Sequence, residues 1–239
     1  MTVYVSDIIG DDALGLLLID TAEVRNYTLE ARYAAFLLAQ RSLASLQPKA
    51  TATHAAQRLV AGAKQSIPTG GLQLIDVVWN SGTDGTTIGR AITLIDRGEL
   101  ALIDPDWAKA PADSAVEVIH YAFDDRDPTV FYVYPPQPAT ESYRQYVEIV
   151  YSEPPDDITL AGAGDHESHY DVAITVPETY QAALTHYVAA HLLSRDNHTV
   201  NGAQRSRMHM DTFFALIDRK DLIGKAYSPN MPYLQVQSG

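Results

Sequence analysis

The sequence contains no cysteine, and this absence removes several kinds of protein from consideration. Without thiols the chain can have no disulfide framework, no thiolate metal ligands and no cysteine nucleophile. It also lacks any run of eighteen apolar residues, and residues 1–10 have neither the basic start nor the apolar core of a signal peptide. We therefore expect neither membrane insertion nor secretion, and we expect stability to come from packing or from assembly.

Positive charge is also scarce in this chain. Lys and Arg number 17 against 30 Asp and Glu, which gives a formal net charge of −13. A protein that grips nucleic acid needs an excess of cations to contact phosphates, so this balance argues against such a function. The charge fits a soluble acidic protein, and it also fits a surface past which DNA slides without sticking. Charge alone does not choose between these two interpretations.

Helical patterns occupy the N-terminal part of the sequence. The chain has 239 residues, 46% of them hydrophobic, which is enough for one substantial domain or two small ones. Ser6 as a possible N-cap, with Asp7 in the first turn, predicts a helix from Val5 to about Ile19. Thr28 caps a second predicted helix, whose apolar residues recur with a 3.6-residue period until Pro48.

Two more helices are predicted near the C-terminus. Thr175-Val176-Pro177-Glu178 matches a capping box, with Thr175 as the cap of the third helix. A fourth helix is predicted over about Gly202 to Ile217. Its predicted packed side comprises Met210, Phe213, Phe214 and Ile217, and its outer side Arg205, Arg207 and Asp211. The helical period is lost from Asp218 onward, which predicts an extended tail.

The middle of the chain alternates apolar and polar residues as strands do. Alternation over Val116–Ala122, Val130–Tyr134 and Tyr146–Tyr151 predicts three strands, with Val147, Ile149 and Tyr151 on one side of the last. Periodicity does not decide whether residues 57–60 are helical or extended.

Two apolar runs, Leu72–Val78 and Ala91–Ile95, flank the turn residues Asn80–Gly85 and predict a hairpin. Leu100–Ile103 is interpreted as a short helical turn, and Trp107 as an aromatic residue plugging the core.

Together these elements predict an α+β fold. We expect an antiparallel helical bundle from residues 1–50 and 172–220, a small antiparallel β-domain inserted at 51–171, and an extended C-terminal tail at 221–239.

The most specific sequence pattern lies between Tyr121 and Pro155. It reads Tyr-Ala-Phe-Asp from Tyr121, then Asp-Pro-Thr-Val-Phe-Tyr-Val-Tyr-Pro-Pro from Asp127, and an alternating strand ending Tyr151-Ser-Glu-Pro-Pro. In this order and wording the segment resembles the head-to-tail adaptor proteins of short-tailed bacteriophages, the tail tubular A type. The likeness extends from Asp20-x-x-x-Val-Arg to Phe213-Phe214. The family pattern, matched at Gly62, Gln65 and Pro68, implies that residues 57–60 are extended. Two positions depart from the family: Tyr27 stands where Trp is common, and Ala34-Ala35 replaces a more polar helix stretch.

The resemblance implies a structural virion protein rather than an enzyme. Such adaptors form a ring, usually of twelve copies, between the portal protein and the tail nozzle, assembled in the host cytoplasm and then part of the virion neck. DNA would pass through the lumen without specific binding, and the C-terminal tail would grip the portal. An alternative keeps the chain structural but places it in the tail tube or nozzle.

No sequence motif predicts a catalytic, cofactor or metal site. His166-Glu167-Ser168-His169 is one residue short of the His-Glu-x-x-His zinc spacing, and Asp124-Asp125-Arg126-Asp127 lacks the Gly and distal Glu of a calcium loop and fits a hairpin turn better. A soluble metal-dependent hydrolase using Asp, Glu and His groups around Asp165–Asp171 remains the alternative of a different class.

Aromatic residues are abundant instead. The chain has 14 tyrosines, and tyrosine is favoured at protein interfaces, where one end of the ring is buried and the other wet. The candidate interface residues are Tyr132, Tyr134, Tyr143, Tyr146, Tyr227, Tyr233, Arg205 and Arg207.

Overall fold

The computed structural model describes residues 2–15, 17, 26–109, 114–124, 126–162, 166–195 and 201–226, with backbone alone for 219–226. Its helices are α1 (Ser6–Ile9), α2 (Asp11–Gly15), α3 (Leu29–Leu46), α4 (Arg97–Ile103), α5 (Gln181–Arg195) and α6 (Gly202–Ala226). Its strands are β1 (Ala52–Arg58), β2 (Gly62–Ser66), β3 (Gln73–Asn80), β4 (Thr93–Leu94), β5 (His120–Phe123), β6 (Val130–Gln137) and β7 (Tyr146–Ser152). Short 3₁₀ turns lie at Pro48–Thr51, Glu141–Tyr143, Glu167–Tyr170 and Glu178–Tyr180.

These elements form two compact units. The helical unit consists of the described residues of 1–43 and 156–239, and the β unit of residues 44–155. Residues 156–171, which the sequence pattern assigns to the β insertion, belong to the helical unit. None of the helices in the described ranges is both long and apolar enough to cross a membrane.

The N-terminal helical segment differs from the single helix that its sequence predicts. Gly10 adopts an extended backbone and separates α1 from α2, and Val5, not Ser6, occupies the cap position. Ser6 is already helical, and its hydroxyl donates to Asp171 Oδ1 at 2.5 Å. Asp7 does lie in the first turn, where its carboxylate accepts the Tyr4 N–H at 2.8 Å. The predicted helix beyond residue 15 falls mostly outside the described residues.

Helix α3 confirms the second predicted helix. The Thr28 hydroxyl accepts the Ala31 N–H at 3.2 Å, as an N-cap does, and the helix ends at Leu46, two residues before Pro48. Phe36 and Leu43 on this helix are fully buried in the helical unit.

The predicted capping box at the start of the third helix is wrong. The Thr175 hydroxyl bonds to Gln40 Oε1 and to the Asp156 carbonyl, both at 3.3 Å, and Pro177 takes the cap position of the 3₁₀ turn that precedes α5. The Thr175 hydroxyl therefore bonds to other parts of the helical unit and does not cap the turn that precedes α5.

The fourth predicted helix exists, but it is longer than predicted and buries a partly different set of residues. Helix α6 continues to Ala226, so residues 221–226 are helical rather than part of an extended tail. Phe213 and Ile217 are buried as expected, whereas Phe214 is 45% exposed, which makes its predicted packing wrong. Residues 227–239 lie outside the described residues.

The β unit contains two sheets where the sequence predicts one. β1, β7 and β3 form an antiparallel sheet in that order, with β7 central. The second sheet has the order β2-β6-β5-β4, and its β4–β5 pair is parallel. Val147, Ile149 and Tyr151 of β7 face one side as predicted, and they meet Phe131 and Val133 of β6 in a shared buried cluster.

The predicted hairpin around Asn80–Gly85 forms only in part. Trp79 bridges Ala91, but the main partner of β3 is β7, and Thr93–Leu94 joins the other sheet beside β5. Strand β1 begins at Ala52, five residues before its predicted start, and α4 begins at Arg97 rather than Leu100. The fold is thus a mixture of helices and largely antiparallel sheets, as expected, while the predicted helical bundle stays a prediction.

Candidate assembly surface

The short helix α4 and the segment after it cover the outer face of the four-stranded sheet. Asp96 caps the helix, since its carboxylate accepts the N–H groups of Gly98 and Glu99. The Arg97 guanidinium lies over the Tyr132 ring at 5.7 Å, and Trp107 meets the same ring edge-on at 5.8 Å. Trp107 therefore packs on the outer face of the sheet, and the expectation that it plugs the core is wrong.

Tyr134 is fixed in the same layer. Its hydroxyl donates to Asp104 Oδ2 at 3.2 Å, and its ring stacks on His120 at 6.4 Å. Burial, followed by the contact with the Asp104 carboxylate, raises the pKa of the Tyr134 phenol. Tyr132 and Tyr134, both proposed interface residues, are half-buried and already have partners within the β unit.

Tyr143 and Tyr146 lie beside one another in sequence but differ in exposure. Tyr143 is 42% exposed, whereas the Arg58 guanidinium lies over the half-buried Tyr146 ring at 5.7 Å. Arg58 in turn pairs with Glu141 at 2.8 Å. Of the four candidate tyrosines in this unit, Tyr143 is the exposed one, and the other three are half-buried.

The remaining candidates belong to the helical unit. On α6 Arg207 is exposed and Arg205 is half-buried, while Tyr227 and Tyr233 lie outside the described residues. Arg205 and Arg207 belong to the helical unit and the four candidate tyrosines to the β unit, and all eight residues stay predictions.

Sequence reasoning missed the most exposed apolar side chains of the β unit. Leu102 is 86% exposed, Ile88 73% and Ile103 67%. The available signal was the run Leu100-Ala101-Leu102-Ile103, because a seven-residue helix on a sheet cannot bury four consecutive apolar residues.

The region that could favour a hydrolase contains carboxylates without a catalytic arrangement. Asp7, Asp12, Glu167 and Asp171 line an open groove of about 600 Å³ in the helical unit. The His166 and His169 rings lie edge to face at 5.4 Å, yet within the described ranges no three His, Asp or Glu side chains converge as metal ligands do.

The turn of the β5–β6 hairpin is built as predicted. Asp124 Oδ1 accepts the backbone N–H of Arg126 at 3.1 Å, and both Asp124 oxygens accept from the Arg126 guanidinium. These contacts hold the pKa of Asp124 down at about 2. The Asp124 carboxylate thus stabilises the turn. The two strands that this turn joins, β5 and β6, belong to the specific sequence pattern between Tyr121 and Pro155.

A family model described as SU10 adaptor protein matches residues 5–233, which includes nearly all of both units. The chain belongs to the SU10 adaptor protein family. No curated protein matches it. Family membership makes the chain a structural adaptor of a bacteriophage and a virion component, which is a different class from an enzyme.

The helical unit of this adaptor brings together two histidines, one buried and one half-buried, whose pairing the sequence analysis overlooked. His186 on α5 and His209 on α6 bring their Nδ1 atoms to 3.0 Å, and His209 is only 3% exposed. A hydrogen bond between two such nitrogens needs one of them protonated and the other bare, so the bond excludes a second proton. Among the described residues the His209 Nε2 atom has no hydrogen-bond partner.

Both histidines resist protonation in the folded adaptor. Burial lowers the pKa of His186. Burial, followed by the nearby His186 and Arg205, lowers the pKa of His209, and a smaller contribution from the Leu17 backbone raises it. Burial and Arg195 likewise lower the pKa of His191, whose ring stacks on Tyr187 at 6.4 Å. Unfolded histidines have a pKa of about 6.5.

We therefore expect acid to destabilise the helical unit. Below about pH 6.5 the unfolded chain takes up protons that the folded chain excludes, so stability is fully present above that pH and falls as the pH is lowered. The melting temperature, followed by far-UV circular dichroism, should decrease between about pH 7.5 and about pH 5. H209F should flatten this dependence because phenylalanine has similar size and no titrating group.

The control for this prediction is His54, a histidine of the β unit whose side chain is 66% exposed. H54F makes the same replacement at this exposed site and is the matched control for the substitution itself. An H209F variant with the full slope of the parent would show that the histidine pair is not its source.

Proposed function

We propose that this chain is the head-to-tail adaptor of its phage and that its copies form a ring, of twelve, between the portal protein and the tail nozzle. The observation that carries the proposal is the family match over residues 5–233, which spans the helical and the β unit together. Heterologous contacts between identical subunits close into rings when the rotation allows it, and a ring leaves a central passage for DNA.

The charge of the chain supports a passage that does not hold DNA. The net charge of −13 offers few free cations to phosphates, so an acidic lumen would repel the genome instead of trapping it. We propose that the DNA passes without specific binding. A lumen lined by Lys and Arg in an assembled ring would contradict this part of the proposal.

The C-terminal segment is the proposed portal grip. Helix α6 runs to Ala226, so the segment available as a grip is residues 227–239, which includes Tyr227 and Tyr233. Tyrosine combines a large apolar area with a hydroxyl that can bond to a partner, which suits it to an interface of this kind.

The experiment is reconstitution of the full chain with purified portal particles, followed by electron microscopy and by binding measurement. The full chain should add a ring beneath the portal, and deletion of residues 227–239 should abolish portal binding while helical content is retained. A chain carrying the same thirteen residues in scrambled order is the matched control for length and composition.

Each outcome of this experiment decides something. Retained binding by the deletion or the scrambled chain would reject the grip. A full chain that forms no ring alone or on the portal would reject the adaptor position, and a ring found only at the far end of the tail would favour a tail tube or nozzle component.

A further inference from the structure

One exposed apolar surface of the β unit is the end of helix α4. The helix buries Leu100, which is 2% exposed, and then presents Ala101, Leu102 and Ile103 to solvent, with Leu102 86% and Ile103 67% exposed. Single exposed apolar residues are ordinary, whereas consecutive ones on a rigid element mark interaction sites. We refer to Ala101, Leu102 and Ile103 as the α4 ridge.

Negative charge surrounds the α4 ridge. Glu99 is exposed and precedes Leu102 and Ile103 by one helical turn, and the exposed Asp106 follows the helix. The cation of this helix, Arg97, is directed elsewhere, because it lies 3.5 Å from Asp124 and over the Tyr132 ring. The ridge therefore combines apolar side chains with an acidic rim.

A second exposed apolar surface lies in the loop after β3. Ile88 is 73% exposed and Arg90 is exposed, on either side of Gly89. The Gly89 N–H donates to the Asn80 carbonyl at 2.7 Å, and the Asn80 N–H donates to the Arg90 carbonyl at 2.9 Å. A Cβ atom on Gly89 would lie 3.3 Å from Asn80 and 3.3 Å from the carboxylate of the exposed Glu117, so Glu117 lies beside Gly89, between Ile88 and Arg90.

The cation of this second surface, Arg90, has no described partner, although the Glu117 carboxylate lies beside Gly89. Within the described residues the Arg90 guanidinium forms no ion pair or hydrogen bond, in contrast to Arg58, Arg97 and Arg126, which all contact carboxylates. We refer to Ile88 and Arg90 as the 88–90 surface. It combines an apolar side chain with a guanidinium that can pair with a carboxylate of another copy, such as Glu99 or Asp106 beside the α4 ridge.

We propose that the α4 ridge of one copy packs on the 88–90 surface of the next copy, with Leu102 and Ile103 against Ile88 and with Glu99 and Asp106 facing Arg90. This inference rests on the proposed ring. A ridge cannot pair with a second ridge in the same way, because Glu99 would then face Glu99 and like charges in an interface are unfavourable. The ridge and the 88–90 surface differ, so each copy can bind two neighbours, which is the heterologous contact that ring closure requires.

Charge reversal tests the pairing directly. E99R and R90E should each weaken association of the full chain by about tenfold or more, since each places like charges across the contact. The double variant E99R/R90E restores opposite signs between positions 99 and 90 while Asp106 keeps its charge, and it should recover part of the loss. Sedimentation velocity of the full chain, with and without portal particles, measures the association.

Mixing two blocked variants gives a sharper test. L102D disables the ridge and leaves the 88–90 surface intact, and I88D does the reverse. Each variant alone should fail to form rings, whereas the two together should give a complex of one copy of each and nothing larger. L94D is the matched control, because Leu94 is 64% exposed at the sheet edge and belongs to neither surface.

The outcomes separate this inference from the proposed function. Rings that form normally from E99R, R90E, L102D and I88D chains would overturn the pairing and leave the adaptor ring standing. A parent chain that forms no ring would reject the ring itself. Equal loss of assembly in L94D and L102D would show a general effect of exposed charge, and would also overturn the pairing.

Discussion

N80L is expected to destabilise the β unit by about 3 kcal/mol, because it leaves buried backbone groups without partners. Asn80 is fully buried, and its side chain donates to the Val118 and Arg90 carbonyls and accepts the Val118 N–H. Val118 is itself fully buried, so its N–H and carbonyl cannot turn to water when the amide is lost. Leucine fills the volume without replacing these bonds.

Tryptophan fluorescence during urea unfolding measures this effect in one unit. Both tryptophans, Trp79 and Trp107, lie in the β unit, so their signal reports its unfolding. T83L alters an exposed position in the same loop by a comparable volume and should leave the urea midpoint within experimental error. An N80L midpoint equal to that of the parent would show that Asn80 does not join Val118 to the 88–90 loop.

Asn80 also shows which contacts the sequence could and could not predict. Its position before Ser-Gly-Thr-Asp-Gly is typical of a turn, and the turn does begin there. The sequence could not show that the same residue bonds to Val118, 38 positions away, because that contact depends on how the two sheets are placed. Local patterns identify strands, and the pairing between them is a tertiary property.

The alternating segments Val130–Tyr134 and Tyr146–Tyr151 were predicted well for a related reason, whereas the strand predicted over Val116–Ala122 begins only at His120. Val147, Ile149 and Tyr151 share one face whatever their strand pairs with, since side-chain direction follows from the pleat. The pairing of Thr93 with His120 in a parallel ladder carries no such local signature. Two sheets were therefore interpreted as one.

Of the two predicted helix caps, one formed and the other did not, for the same reason. Thr28 caps α3 as its sequence predicts, whereas Thr175, equally suitable by sequence, is drawn to Gln40 and Asp156. A capping side chain competes with every other partner within reach, and only the fold decides which one it takes. For the α4 ridge, the exposure of Leu102 depends on Leu100 being the residue that α4 buries, and only the fold decides that.

R32M is expected to cost the helical unit about 3 kcal/mol, because it removes the buried cation that joins its first helices. Arg32 is 3% exposed on α3, and its guanidinium donates to the carbonyls of Tyr27 and Ile9 and to Asp11 Oδ1 at 2.8 Å. Methionine keeps the apolar stem and loses every one of these bonds. The Asp11 side chain is 34% exposed, so water can solvate it in part and the loss stays below that of a fully buried pair.

Arg32 should be irreplaceable by lysine, since one ammonium group cannot reach carbonyls and a carboxylate in the directions that the guanidinium fork does. R32K is therefore expected to recover less than half of the stability that R32M loses. Far-UV circular dichroism follows the helices, and tryptophan fluorescence shows in the same sample that the β unit is unaffected. R41M, an exposed position on the same helix, is the control. Equal midpoints for R32M and R41M would mean that the α1–α3 connection does not depend on this charge, and the helical unit would then owe its stability to packing around Phe36 and Phe213 alone.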